Sequence, residues 1–275
     1  NLVATAKKED LCGIVLTFFP HPRIVLQKDN QMKLIDTLEE KRKIIESLGV
    51  EVLIIQPFTL HFSRMTATEY TRDILVNSLN ISRLIIGYDH RFGRNRKATV
   101  QDLKEFGEQY KFTVEEIPAQ DIESIAISST KVRNAIISGE MKKANQFLGR
   151  PFSVSGKIIK GDEIGRKIGY PTANLEIEED YKLQPQNGVY LIQCHWDNQK
   201  YFGMMNVGKR PTVSGKKNQI ETYFFNFEGD LYGKKLKIDL LEKIRDEKKY
   251  KSLEILRNQL GIDKNSCQKL IPKYS

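Results

Sequence analysis

The chain changes character at Gly149-Arg150-Pro151, and that change restricts the folds open to it more than any other feature. Before it, the strand-like apolar runs Ile14–Phe18, Val50–Ile55, Arg83–Ile86 and Phe112–Ile117 alternate with helical stretches. After it, Phe152–Ile159, Val189–Trp196, Tyr201–Val207, Ile220–Phe225 and Leu236–Leu241 follow one another without an intervening helix. Alternation of the first kind predicts a mostly parallel sheet covered by helices, with ligands bound beyond the carboxyl ends of its strands. Strands in direct succession predict an antiparallel barrel or sandwich. Leu253, Leu256 and Leu260 carry helical spacing and predict a closing C-terminal helix.

Local signals agree with this division. Thr37 precedes Glu40 by three residues and Thr66 precedes Glu69 likewise, the pattern of a capping box at a helix start. Gly49 ends the first of these helices, Gln101–Gln109 reads as another, and Asp197-Asn198 suits a hairpin turn.

At 275 residues the chain has room for two ordinary domains. Its net charge of +9 raises the question of nucleic acid, yet acidic residues interleave with the basic ones, as in Glu39-Glu40-Lys41-Arg42-Lys43. Such mixed runs are solvated helix faces, and anionic small molecules account for the excess equally well. No apolar run approaches the roughly 20 residues of a membrane-spanning helix, and no basic-then-apolar secretion signal opens the chain. Three widely spaced cysteines, Cys12, Cys194 and Cys267, make neither a disulfide framework nor a zinc site, which fits a reducing cytoplasm. Residue 1 is Asn, and Leu2–Lys8 reads as the tail of a helix feeding a strand, so a segment upstream is expected.

Chemistry concentrates in a few segments. Gly161-Asp-Glu-Ile-Gly-Arg-Lys-Ile-Gly-Tyr-Pro-Thr-Ala-Asn174 joins three glycines to Arg166 and Lys167, followed by Thr172 and Asn174. Glycines at 161, 165 and 169 allow close backbone approach, the cations suit phosphate, and the two neutral oxygens suit a Mg²⁺ that rides on a nucleotide. A glycine-rich hairpin with solvated charges would share that composition. In the first half, Phe19-Pro20-His21-Pro22, Gly87-Tyr-Asp89-His-Arg-Phe92-Gly93 and Ile127-Ser-Ser129-Thr130 follow predicted strands, where ligands bind. The last of these opens a helix carrying Arg133, an arrangement suited to an anion.

Together these segments resemble the bacterial bifunctional riboflavin kinase/FAD synthetase family. In the second half the Gly161–Asn174 loop, Asn206-Val-Gly-Lys-Arg210-Pro-Thr212, Glu221, Asp230-Leu-Tyr232-Gly233 and Ile244-Arg245-Asp-Glu247 stand in the family's order and spacing. The first-half segments are similar to the family's adenylyltransferase module, except that its opening strand and His-x-Gly-His loop have no counterpart here. The resemblance implies an α/β Rossmann-like nucleotidylyltransferase domain over residues 1–148, then an all-β antiparallel Greek-key barrel with a C-terminal helix over 149–275.

The same resemblance implies phosphorylation of riboflavin to FMN in the second half and adenylylation of FMN to FAD in the first, with ATP as co-substrate and Mg²⁺ as metal. Glu221 would be the general base, Gly161, Gly165 and Arg166 would fold over phosphates, and Thr172 and Asn174 would meet the Mg²⁺–nucleotide. Arg210, Thr212, Tyr232 and Arg245 would border flavin or phosphate. In the first half Pro20, His21, Pro22, Asp89, Phe92, Ser129, Thr130 and Arg133 would border ATP or FMN. Without the His-x-Gly-His loop, little adenylyltransferase activity is expected of the chain as it stands. Two other readings remain open: a kinase whose first half is a relic or regulator, and a non-catalytic flavin sensor. No nucleic-acid or membrane partner is expected.

Overall fold

A computed structural model describes all residues except 28–31, 88–89, 118–120, 123–124, 162–163 and 213–214. The chain divides into two compact units, one of Asn1–Met32 with Leu38–Ala126, the other of Lys33–Thr37 with Ile127–Ser275.

In the first unit, β1 (Ile14–Phe19) pairs in parallel with β2 (Val52–Pro57), and β3 (Arg83–Gly87) in parallel with β4 (Thr113–Ile117). The expected parallel strands are therefore present, but as two separate pairs. Residues of β1 and β3 line the same cavity of about 590 Å³, with Ile14, Leu16, Leu84 and Leu103 among its walls. The helix start at Thr66 follows its sequence signal. Thr66 accepts from the Glu69 N–H while the Glu69 carboxylate accepts from the Thr66 N–H at 2.8 Å. Thr99 and Asp102 make a second reciprocal box before the helix Val100–Tyr110. That helix buries Leu103 completely, beside Leu75, Ile86 and Phe92. Two short strands, β5 (Asp121–Ile122) and β6 (Ile125–Ala126), form an antiparallel pair.

The second unit is a closed six-stranded antiparallel barrel. Its strands are β7 (Phe152–Ile159), β8 (Ala173–Glu176), β9 (Gly188–Trp196), β10 (Gln199–Thr212), β11 (Gly215–Phe224) and β12 (Lys235–Arg245). Around the barrel they run β10-β11-β8-β7-β12-β9. Two-residue alternation sorts the side chains. Phe152, Val154, Tyr190, Ile192, Met205, Val207, Ile220 and Ile238 fill the interior. Val189, Leu191, Met204 and Leu241 point outward, where Leu260 and Cys267 of the helix Leu253–Leu270 cover them. Ser252 starts that helix by accepting from the Ile255 N–H.

Helices Ser129–Ile137 and Met141–Leu148 also join the barrel core, through Val132, Ala135, Ile136, Met141 and Ala144. The barrel-bearing unit thus begins at Ile127, ahead of the 148/149 boundary expected from the sequence. It also includes a strap, Lys33–Thr37. Leu34 exchanges backbone hydrogen bonds with Tyr181 and Leu183, Asp36 takes Arg150 in a bidentate ion pair at 2.6 and 2.7 Å, and the buried Lys182 ammonium donates to the Ile35 carbonyl at 2.7 Å.

Candidate active site

Strand register builds the site. Across the barrel, Asn174 on β8 pairs with Glu221 on β11, Glu221 with Asn206 on β10, Asn206 with Val189 on β9, and Val189 with Arg245 on β12. Residues directly opposite across neighbouring strands share a face, so segments as far apart in the chain as Asn174 and Arg245 form one row. Ile220, Val207 and Tyr190, their chain neighbours, point inward, so the row lies on the outer surface of the barrel.

One cavity lies against this row and a second adjoins it at Thr172 and Tyr223. The larger, about 530 Å³, has apolar walls from Val189, Met204, Leu256 and Leu260, and at its polar end Thr172, Asn206 and Glu221. Tyr250 and Arg245 complete it. The smaller, about 350 Å³, is lined by Arg166, Pro171, Thr172, Phe227, Asp230 and Tyr232. Thr172 and Tyr223 belong to both, and Tyr223 packs edge-on against Tyr170. Thr172 therefore stands between two ligand-sized spaces, one largely apolar and one polar, lined by Arg166 together with Glu228 and Asp230. The Tyr250 hydroxyl is buried with no hydrogen-bond partner among the described residues.

The loop glycines permit close approach here. A Cβ on Gly161 would fall 1.8 Å from Asn174 Nδ2, and one on Gly165 would fall 2.2 Å from the Tyr170 carbonyl and 3.1 Å from Thr172 Oγ1. Both glycines thus lay loop backbone directly on the two residues with metal-suited oxygens. Among the described residues no cluster of three or more His, Cys, Asp or Glu could hold a metal. The available donors, a hydroxyl and an amide oxygen, suit a hard cation that keeps water and phosphate ligands.

Two contacts have no signal in the linear motifs. Gln219, two residues before Glu221, donates through Nε2 to Glu221 Oε1 at 3.0 Å and to Asn174 Oδ1 at 2.9 Å. Arg245 is held by Asp263 of the C-terminal helix, with Nε 2.9 Å from Oδ1 and the NH2 nitrogen 2.7 Å from Oδ2. Gln259 donates to the same Asp263 oxygen at 2.9 Å. Burial works to lower the Arg245 pKa, but the Asp263 hydrogen bonds and charge outweigh it and leave the pKa raised. The guanidinium lies over the Tyr250 ring at 5.8 Å. Arg245, expected from the resemblance to border flavin or phosphate, is thus an anchored wall of the larger cavity. Tyr232 lines the smaller cavity rather than the larger one, under the Lys160 ammonium at 5.8 Å. The side chains of Arg210 and Thr212 lie outside the described residues, although their backbones belong to β10.

The first-half segments are placed as follows. The Phe19–Pro20 peptide is cis, and Pro22 begins a short helix, Pro22–Gln27. His21 Nδ1 accepts from the Arg23 N–H at 3.2 Å, so the imidazole caps that helix. Phe92 is buried between Tyr70 and a stacked His90, in a run of rings that continues through Phe62 to Phe18 and Phe58. Burial pushes the Tyr70 phenol up to about 12. Asp89 lies outside the described residues. Ser129 and Thr130 are exposed at a helix start that Ser128, not they, caps. Arg133 donates to the Lys33 and Ser129 carbonyls at 3.2 and 3.4 Å, so the strap occupies part of its fork.

Comparison with known proteins accounts for both units. Residues 1–131 match the family model for FAD synthetase and residues 148–271 that for riboflavin kinase. A curated bifunctional riboflavin kinase/FMN adenylyltransferase of Buchnera aphidicola is 37% identical over 268 residues, covering 96% of this chain and 85% of the relative. Those of Escherichia coli K12 and Bacillus subtilis are 33% and 34% identical, covering 96% and 95% of this chain and 84% and 83% of theirs. The chain belongs to this bifunctional family. A solved Streptococcus pneumoniae structure, titled a macrolide-efflux protein, shares the fold with a TM-score of 0.87 and 33% identity, covering 96% of this chain and 86% of its own.

Proposed function

We infer that the barrel unit transfers the γ-phosphate of ATP to the 5′-hydroxyl of riboflavin, giving FMN and ADP, and that the adenylyltransferase segment transfers AMP to FMN, giving FAD and pyrophosphate. The observation that carries the kinase half is that Glu221 and Asn206 of the outer row line a largely apolar cavity that shares Thr172 and Tyr223 with a second, polar one containing Arg166. A flat tricyclic ring suits the apolar walls, with the buried Tyr250 hydroxyl offering it a polar contact. The nucleotide suits the smaller cavity, where Arg166 meets its phosphates. Glu221 then takes the proton from the ribityl hydroxyl as its oxygen attacks phosphorus and ADP leaves.

Thr172 Oγ1 and Asn174 Oδ1 are the residues that would hold Mg²⁺ on the nucleotide. When bound, the ion neutralises charge on the transferring phosphate. Gly161 and Gly165 keep the loop backbone close enough to fix those two oxygens. In the first unit Pro20, His21, Pro22 and Phe92 are assigned to ATP or FMN by the family resemblance alone, as are Asp89, Ser129, Thr130 and Arg133. Three unpaired thiols suit a reducing cytoplasm.

Chromatography of flavins after incubation with riboflavin, ATP and Mg²⁺ tests the reading. FMN should accumulate, and Glu221→Gln should cut its rate by about 10²–10⁴-fold, the usual contribution of a general base. Flavin binding without FMN, or unchanged turnover in Glu221→Gln, refutes the kinase assignment; FAD formed from supplied FMN reports the first half separately.

A further inference from the structure

We propose that Gln219 is a positioning residue for phosphoryl transfer, holding the base Glu221 and the metal-facing oxygen of Asn174 in one fixed arrangement. The inference rests on the kinase reading above and adds to it a residue that no motif contains. Gln219 and Glu221 are two apart on β11, which puts both on the outer face of the barrel. Asn174 reaches the same spot from β8, where it is the direct cross-strand partner of Glu221.

A single amide nitrogen bridges them. Gln219 Nε2 has two hydrogens, and the two acceptors at 2.9 and 3.0 Å employ both. Each bond has a separate consequence. At Glu221 it holds Oε1, which stops the carboxylate rotating about its terminal torsion, a broad and soft one in an unheld side chain. At Asn174 it decides which end of the amide faces the base. An N–H donor there selects Oδ1 and turns Nδ2 toward the Gly161 loop, where a Cβ would stand 1.8 Å from that nitrogen. Without the donor, the amide can turn over and present NH₂, which cannot ligate a cation. One side chain therefore sets both the direction in which the proton leaves and the polarity of the metal-side ligand.

The test compares Gln219→Met, which keeps length and removes the donor, with Gln219→Glu, which keeps shape and offers only acceptors. Against wild type, kcat for FMN formation should fall about 10- to 100-fold in Gln219→Met and further in Gln219→Glu, the scale of a misplaced reacting group. The KM for riboflavin should stay within about threefold, because the apolar walls are untouched. By calorimetry, ADP should bind about three- to tenfold more weakly than to wild type when Mg²⁺ is present and equally when it is absent. Thermal midpoints should match wild type. A folded variant with wild-type kcat, or with a raised KM and unchanged kcat, overturns the proposal. If Gln219→Met does not fold, Gln219→Glu decides by the same criteria, and if neither folds Gln219 is structural and the proposal fails. Wild-type protein that makes no FMN refutes the kinase reading instead, while the Mg²⁺-dependent ADP arm still reports on Asn174.

Discussion

Asp263→Asn should destabilise the barrel unit far more than its single-atom change suggests. Asp263 is 1% exposed and takes three contacts from Arg245, at 2.7, 2.9 and 3.1 Å. The substitution preserves volume, so no cavity opens; what it removes is the carboxylate that pairs, among the described residues, with a guanidinium whose side chain is 17% exposed. Breaking a buried pair from one side costs about 3–5 kcal/mol, and partial water access to Arg245 puts this case near 3. For a unit of this size class, about 2–4 °C of midpoint accompanies each kcal/mol, so a fall of about 6–12 °C is expected. Trp196 is the single tryptophan and lies on β9, so its fluorescence follows the barrel unit selectively during thermal unfolding. The double variant Arg245→Met/Asp263→Leu replaces both charges with apolar groups and should recover to within about 1 kcal/mol of wild type. The KM for riboflavin should stay raised in it, because a wall of the larger cavity has changed. An Asp263→Asn midpoint within about 2 °C of wild type would refute the reasoning, since the pair would then be contributing no more than a surface bridge.

Two further outcomes are expected. Gly165→Ala places a Cβ 2.2 Å from the Tyr170 carbonyl, so the loop must move off Thr172; kcat/KM for ATP should drop about tenfold or more with little change in midpoint, which steady-state kinetics will show. Thr99→Ala should cost the first unit about 1 kcal/mol near neutral pH by chemical denaturation, the usual loss of an N-cap. Hydrogen bonds from the Thr99 hydroxyl and N–H hold the Asp102 carboxyl below its ordinary 3.8. A depressed carboxyl stabilises the fold above its unfolded pKa and loses that contribution as pH falls through the lower folded value. The gap between wild type and Thr99→Ala should therefore narrow in acid; a constant gap from pH 7 to pH 3 contradicts the capping account.

The division into a sheet-and-helix half and a strand-only half was legible because hydrophobic period and breaker residues are local properties. The outer row was only half legible. Asn174 and Glu221 announce themselves by motif, but their adjacency depends on β8, and Pro171-Thr-Ala-Asn174 reads as loop. Ala173–Glu176 has only four residues and becomes a strand by pairing with β7 on one side and β11 on the other. Gln219 and Asp263 carried no linear signal: one acts across strands, the other from a helix 18 residues beyond its arginine. Period-two reading of β11 would have put Gln219 on the Glu221 face. The Thr99–Asp102 box escaped because its third residue is Asp, whereas the familiar pattern has Glu or Gln. The division at 148/149 follows the change in strand and helix alternation, while Val132 to Ala144 of the two preceding helices pack into the barrel core.

The strap Lys33–Thr37 has a consequence for anyone exchanging parts between members of this family. Because those five residues belong with the barrel while their flanks do not, the backbone passes from one compact unit to the other three times, at 32/33, 37/38 and 126/127. A kinase gene fragment opened at residue 127 would encode every barrel strand and still be incomplete. Its Lys182 ammonium would lose the Ile35 carbonyl, and Arg150 would lose the carboxylate of Asp36. A chimera that keeps its kinase half sound must therefore inherit a short sequence from deep within the other half, and substitutions at 33–37 should be constrained by residues 150 and 182 rather than by their immediate neighbours.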